Sequence, residues 1–388
     1  MAETTLGFEL MSTAKPASQP TVLFIVQNFT QGWGGAPESV RLMARRLSDL
    51  GVKSDVYDRG GLIADAGQYL TLPNTPTNTD PFDLPPSNYA AILQMGPWQS
   101  PKRLANLYRG RGQARWIYLP RGGLADVEFA RTRDLKKYPY LALVERNFIS
   151  RSDAIVFSSN IEQVRTISWA YPKQKAAVIP DFLATPPLRA HSRERSASSI
   201  TFAFLAEISP RKGLHLLLTA FSSWAQSRGL QTRVRLVVGG APRPGSESYF
   251  KAICAQQQYL TEKGISIDIV GPVAHNSRES FYNNADVLVV SSSFESFGLT
   301  VFEAAGEGCV VLTTSHIGAL EHSIGLPGII STSGTTVDSM INGLDAALEA
   351  LRRTSRSERA ESSRNRIGQI NADAARKWQC ILNLPLGR

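Results

Sequence analysis

Two carboxylates, Glu295 and Glu303, stand eight residues apart in SSSFESFGLTVFEAAGEG (291–308), with Phe297, Gly298 and Leu299 between them. The string follows directly on DVLVV (286–290), a β-branched apolar run. A helix starting near Thr300 puts Glu303 in its first turn and leaves Glu295 and the Gly298 amide on the loop before it. Carboxylates so placed can accept hydrogen bonds from sugar hydroxyls. A helix N-terminus offers free N–H groups and a positive dipole end to phosphate. A lone Glu in a first turn is ordinarily just a carboxylate favoured by the dipole; the strand–loop–helix setting is what raises this pair above that reading.

A second strand–loop–helix follows the same logic. FLAEISPRKGLHLLLTAF (204–221) carries Arg211 and Lys212 at the helix start. A lysine there can neutralise a departing diphosphate, where charge grows in the transition state. In QGWGGAPES (31–39), Gly34 and Gly35 permit close backbone approach, although a G-x-G-x-x-G fingerprint is absent. In WIYLPRGGLADVEF (116–129), Arg121 follows a strand and is a candidate for a phosphate or an acidic acceptor group. His191, His215, His275, His316 and His322 show no metal-ligand spacing backed by Cys or carboxylate, so neither a structural nor a catalytic metal is expected. Cys254, Cys309 and Cys380 are odd in number and widely spaced, which suits a reducing compartment rather than a disulfide framework.

These residues need a scaffold. TVLFIVQ (21–27), AAILQM (90–95), RWIYL (115–119), DAIVFS (153–158) and AAVIP (176–180) read as buried strands separated by helix-length segments. The pattern restarts with ITFAFL (200–205), VRLVV (234–238), ISIDIV (265–270), DVLVV (286–290) and CVVLTT (309–314). Alternation of this kind argues for parallel sheets covered by helices on both faces. The first helix should bury Val40, Met43, Ala44, Leu47 and Leu50, with Arg41, Arg45 and Arg46 mostly off that stripe.

The expected organisation is a flexible leader (1–20), an N-terminal domain (21–182), a Pro- and Ser-containing linker (183–198), a C-terminal domain (199–355) and a helical tail (356–388). The middle of the tail region, RRTSRSERAESSRNR (352–366), reads as solvated. Trp378, Ile381 and Leu382 need a surface to bury against.

The chain has 388 residues, 43% of them apolar and 19% charged, which excludes a disordered or fibrous protein. Its 42 Lys and Arg against 33 Asp and Glu give +9, a surplus that favours an anionic partner. KRLANLYRGRGQAR (102–115) and RTRDLKK (131–137) concentrate part of it. They read either as an anionic membrane face or as a plain solvated one; nucleic acid is disfavoured because no binding motif accompanies them. No secretory signal and no apolar run of membrane-spanning length is present, so a cytoplasmic protein is expected, peripheral on the inner membrane face at most.

The string 291–308, with its lead-in VGPVAHNSRESFYNNADVLVVSSS (270–293), resembles the E-x7-E motif of the retaining GT-B glycosyltransferases, glycosyltransferase family 4. The resemblance covers residues 199–330 well and the N-terminal half more loosely. It implies an α/β fold of two Rossmann-like parallel-sheet domains facing a cleft, with a C-terminal helix crossing back to the N-domain. By the same resemblance, Glu295 contacts the donor sugar, Glu303 the ribose hydroxyls, and the amides of Phe297, Gly298 and Leu299 the sugar or distal phosphate. Lys212 matches the family's pyrophosphate lysine, and the loop carrying Gly34 and Gly35 lies between donor and acceptor. His275 lies in the loop that approaches the nucleotide base, Arg121 sits in the Pro-Arg-Gly variant of a loop that often carries His, and Gly318 and Glu321 match the final Gly…Glu loop.

The main departure is Glu207, where the family usually has Arg; Arg211 is the candidate substitute. The activity implied is retaining transfer of a sugar, without metal or cofactor, from a UDP- or GDP-linked donor to a glycan or lipid-linked acceptor in bacterial surface polysaccharide or glycolipid synthesis. The alternatives are a non-catalytic GT-B lookalike acting as a partner subunit, which Glu207 favours, and a nucleotide-sugar epimerase.

Overall fold

The computed structural model describes residues 20–26, 35–58, 61–63, 89–97, 109–110, 112–132, 137–186 and 199–383. The leader, Gly34, most of 102–115 and 131–137, and the linker from 187 onward lie outside these residues.

Two sheets organise the chain. The first holds β1 (Thr21–Ile25), β2 (Lys53–Asp58), β3 (Gly61–Ile63), β4 (Ala91–Met95), β5 (Arg115–Leu119), β6 (Ala154–Phe157) and β7 (Ala176–Val178) in the order β3-β2-β1-β4-β5-β6-β7. Every pairing is parallel except β2–β3, which closes one edge with an antiparallel strand. The second holds β8 (Ile200–Leu205), β9 (Val234–Gly239), β10 (Ile267–Gly271), β11 (Val287–Val290), β12 (Val310–Thr313) and β13 (Ile329–Ser331), all parallel, in the order β10-β9-β8-β11-β12-β13. Most apolar runs of the sequence are central strands, and the side chains of β1, β4, β5, β6, β11 and β12 are almost entirely buried because helices cover both faces, whereas β7 and β10 are edge strands and only partly buried.

The main helices among the described residues are α1 (Gly35–Asp49), α2 (Asp126–Thr132), α3 (Arg146–Arg151), which continues a helical turn at Lys137–Tyr140 and a π-helical segment at Leu141–Glu145, α4 (Asn160–Arg165), α5 (Leu214–Ser227), α6 (Glu247–Glu262), α7 (Arg278–Asn283), α8 (Leu299–Gly306), α9 (Val337–Arg353) and α10 (Arg356–Leu382). In α1 the stripe Val40, Met43, Ala44 and Leu47 is buried, but Leu50 lies past the helix end and is exposed. Arg41 is buried rather than peripheral, because Glu38 one turn earlier neutralises it with a paired hydrogen bond.

Each sheet reverses its strand order once, at β1/β4 and at β8/β11. Loops leaving the carboxyl ends of strands at such a point diverge and open a crevice. The loops after β8 and β11 carry Glu207–Lys212 and Ser291–Gly298, so the topology delivers both chemical clusters to one place.

Helix α10 joins the two cores. Ile367 and Ile370 pack in the core of the second sheet, while Ala374, Trp378 and Leu382 complete the core of the first. Asn371, midway, exchanges hydrogen bonds with both the N–H and the carbonyl of Leu183 (2.8 and 3.0 Å). The charged stretch 352–366 is less solvated than its composition suggests. Arg359 is buried and donates to the Gly308 carbonyl, and Arg356 caps the carbonyls of Tyr282, Ala285 and Glu307. Arginine enters these positions because exposed loop and helix-end carbonyls need donors that the backbone cannot supply.

The domains also touch beside the cleft. Glu321 accepts from the Asn160 N–H, the Asn160 side chain and the Ile161 N–H (2.7–2.9 Å), a carboxylate placed at the start of α4. Ser159 donates to the Ser296 carbonyl at 2.5 Å. No helix among the described residues is long and apolar enough to cross a membrane.

Candidate functional site

A cleft of about 920 Å³ separates the two sheets. Glu295, Lys212, Arg211, Glu303, Phe297, Gly298, Leu299, Gly35, His275 and Arg121 all line it. Of the candidate site residues expected from the sequence, Gly34 lies outside the described residues, as does His191 among the histidines.

At its centre, Lys212 Nζ is 2.5 Å from Glu295 Oε1, and Ser292 donates to the same oxygen at 2.6 Å. Both side chains of the ion pair are 14% exposed. Burial pulls the Glu295 carboxyl up, but Lys212 and Arg211 outweigh it and hold the group at about 2. Burial also pulls Lys212 below the ordinary lysine range, with Glu295 opposing.

The approach of Lys212 depends on Gly213, which has φ +69° and would place a Cβ 2.1 Å from the Ser291 carbonyl oxygen. Only glycine allows the start of α5 to lie this close to the end of β11. Gly298 does the equivalent for α8. It is left-handed (φ +101°), and a Cβ there would lie 2.9 Å from Ile317.

Helix α8 begins at Leu299, one residue before the expected start, so Glu303 falls just beyond the first turn. Its position is fixed by two residues that the sequence reading treated only as lead-in. Tyr282 donates to Oε2 at 2.7 Å, and Arg278 lies 3.3 Å from Oε1. Within α8, Val301 is the first N–H with a backbone acceptor, the Gly298 carbonyl. Among the described residues the amides of Gly298, Leu299 and Thr300 make no backbone hydrogen bond, which leaves three donors facing the cleft end of the helix. The Phe297 ring is buried in the core.

Arg211 is a cross-link rather than a free cation. Its guanidinium meets Glu128 of the first domain (3.2 Å), Glu207 (3.5 Å), Glu295 (3.5 Å) and the Phe294 carbonyl (3.0 Å). Glu207 is therefore neutralised, by Arg211 on one side and by Arg243 at 3.7 Å on the other, with Ser209 donating at 3.3 Å.

Arg121 is likewise committed. It has φ +51° and pairs with Asp181, which also accepts from Ser39. Its guanidinium is 9% exposed, so a phosphate or acidic acceptor would have to displace a buried carboxylate to reach it. His275, in a 3-10 turn before α7, lies 3.4 Å from Glu38 of α1 and bridges the cleft. Burial lowers its pKa, with Glu38 drawing it partly back.

Glu128, Arg243, Glu38, Tyr282 and Arg278 had no local sequence signal. Apart from the Glu38–Arg41 pair one turn apart, each reaches the cleft through a partner at least 21 residues away, and pairing at that distance leaves no spacing to read. Among the described residues no group of three His, Cys, Asp or Glu is placed to hold a metal ion.

Two Rossmann-like sheets facing a cleft, joined by a helix that returns to the first, define the GT-B fold of glycosyltransferases. Residues 190–366 match the family model of glycosyl transferases group 1. A curated relative, D-inositol 3-phosphate glycosyltransferase of Corynebacterium urealyticum, is 24% identical over 343 residues, covering 75% of this chain and 76% of its own. Two solved structures share the fold over nearly the whole length. Sucrose-phosphate synthase of Thermosynechococcus elongatus has a TM-score of 0.68 at 17% identity, covering 94% of this chain and 99% of its own. HepE of Anabaena, in complex with UDP-glucose, has a TM-score of 0.67 at 17% identity, covering 93% and 99%.

Proposed function

We propose that this protein transfers a sugar, with retention of anomeric configuration, from a nucleotide-sugar to a glycan or lipid-linked acceptor. The observation that carries the reading is the convergence, in one cleft, of the Lys212–Glu295 pair, Glu303 and the free amides at the start of α8. Glu303, held by Tyr282 and Arg278, accepts from the ribose hydroxyls. The amides of Gly298 and Leu299 and the Lys212 ammonium meet the diphosphate, where negative charge grows as the sugar leaves. Glu295 accepts from the sugar hydroxyls and orients the ring.

No side chain need act as nucleophile. The leaving phosphate takes the acceptor proton on the face it departs from, and the protein's contribution is positioning and charge stabilisation. Closure of the cleft excludes water. No metal enters this scheme; turnover unchanged by EDTA would support that, and loss of turnover would overturn it.

A UDP-linked donor is supported by HepE, a structure of the same fold named in complex with UDP-glucose. The basic segments 102–115 and 131–137 support an acceptor presented at an anionic inner membrane surface, and surface polysaccharide or glycolipid synthesis as the setting. Vesicles with anionic lipid should then bind the protein and lose it in high salt; equal binding to neutral vesicles would refute the membrane part.

Glu207 favours a second reading, a non-catalytic partner subunit whose phosphate site has been neutralised. Calorimetric titration with UDP, GDP and ADP separates the two. The transferase reading expects one of them to bind and Glu303→Ala to weaken it at least about ten-fold, roughly 1.4 kcal/mol. No binding of any nucleotide sinks it. Sugar joined to an acceptor extract, rather than a changed nucleotide-sugar, excludes an epimerase.

A further inference from the structure

The cations lining the cleft differ in how far they are committed. Arg41 is held by Glu38, Arg121 by Asp181, Lys212 by Glu295 and Arg278 by Glu303. Arg211 meets three carboxylates and a carbonyl at once. Arg243 is different. Its one carboxylate partner among the described residues is Glu207, at 3.7 Å, and its side chain is 47% exposed into the cleft. Glu207 already has Arg211 and Ser209 on the same oxygen, so it loses little if Arg243 leaves.

The backbone under Arg243 is built to hold it beside the phosphate loop. Ile208 and Pro242 form a β-bridge between the loop after β8 and the loop after β9. The Ile208 N–H donates to the Ala241 carbonyl at 2.7 Å, and the Arg243 N–H returns to the Ile208 carbonyl at 3.2 Å. Gly240 (φ +144°) lets the second loop press against Ala206, where a Cβ would lie 1.9 Å from the carbonyl oxygen. Arg243 is thus fixed at its root to the segment that presents Lys212, with a long side chain free to turn.

We infer that Arg243 is a ligand of the donor's diphosphate, changing partner from Glu207 to a phosphate oxygen when the donor binds. This rests on the transferase reading above and names the residue that supplies the second positive charge beside Lys212. Glu207 holds Arg243 at the rim in the empty site and hands it over, remaining neutralised by Arg211. A guanidinium suits the task because its fork can take two oxygens of one phosphate.

The experiment compares a nucleoside diphosphate with the monophosphate of the same base, taking from UDP, GDP and ADP the one that wild type binds. In Arg243→Gln the diphosphate should bind at least ten-fold more weakly, with monophosphate affinity within two-fold of wild type. Arg243→Lys should recover part of the loss. Glu207→Gln, which removes the competitor for Arg243, should bind the diphosphate more tightly than wild type. Unchanged diphosphate affinity in Arg243→Gln, or an equal loss for both nucleotides, overturns the assignment while leaving the transferase reading intact. A wild-type protein that binds no nucleotide overturns both.

Discussion

Removing Lys212 separates its structural from its chemical role. The Lys212–Glu295 pair is 2.5 Å apart and 14% exposed on each side. Taking one partner from a buried pair costs about 3–5 kcal/mol, because the other charge is left uncompensated. Lys212→Met should fall near about 3 kcal/mol, the low end of that range, since Arg211 at 3.5 Å and Ser292 at 2.6 Å still face Glu295. Glu295→Gln on top of it removes the stranded charge, and the double variant should return to within about 1 kcal/mol of wild type, as replacing both partners of a buried pair often does. Turnover should not return: both variants lose at least about ten-fold, about 1.4 kcal/mol of barrier.

Urea denaturation gives the first quantity, and release of nucleoside diphosphate from a nucleotide-sugar gives the second. The acid limb supplies an internal check. Glu295 is held at about 2 in the fold against about 4.3 for a free glutamate, so its stabilisation is full above the higher value and lost as pH falls towards the lower. Glu295→Gln should flatten that limb. Wild-type stability in Lys212→Met would refute the buried-pair argument, and near-normal turnover in the double variant would remove both residues from the reaction.

Tyr282→Phe deletes the hydroxyl that donates to Glu303 at 2.7 Å and should weaken nucleotide binding about ten-fold, about 1.4 kcal/mol, with the fold unchanged by circular dichroism; unaltered binding would mean Arg278 alone orients the carboxylate. Trp378→Ala empties a site that is 1% exposed and should cost about 3–5 kcal/mol, read as a lower urea midpoint. His275 should titrate below about 6.5 in an NMR pH series, because burial disfavours its charged form. The unfolded chain then binds the extra proton first, so this group's contribution to stability is present above about 6.5 and declines as pH falls below it. Glu38→Gln removes the opposing charge and should lower the midpoint further; a rise would show that the two side chains do not face each other in solution.

Where burial is two-sided and continuous, sequence and structure coincide. RWIYL and ITFAFL are β5 and β8 to the residue, and the other eight apolar runs differ only at their ends. The strands that escaped notice are those without such runs. Lys53–Asp58 (KSDVYD) is mostly charged or polar, with Val56 and Tyr57 as its apolar residues, and Gly61–Ile63 and Ile329–Ser331 are three-residue edge strands. The cleft residues were legible by type and loop position, but their commitments were not. That Arg121 is spent on Asp181 follows from how distant segments of the first domain fold together, and that Arg211 is spent on Glu128 from how the two domains meet; no local pattern encodes either. The same holds for Arg359, whose burial depends on the Gly308 carbonyl 51 residues earlier.

The returning helix has a consequence for the order in which the protein can be made. Val22 and Phe24 share a core with Trp378 and Leu382, which follow the whole second domain in the chain. A ribosome that has finished the first sheet has therefore not yet supplied the residues that close its hydrophobic core. Contacts this distant in sequence form late, after the intervening segment has condensed. During synthesis the first domain must wait with one apolar face open until helix α10, which also contributes Ile367 and Ile370 to the core of the second domain, has been made.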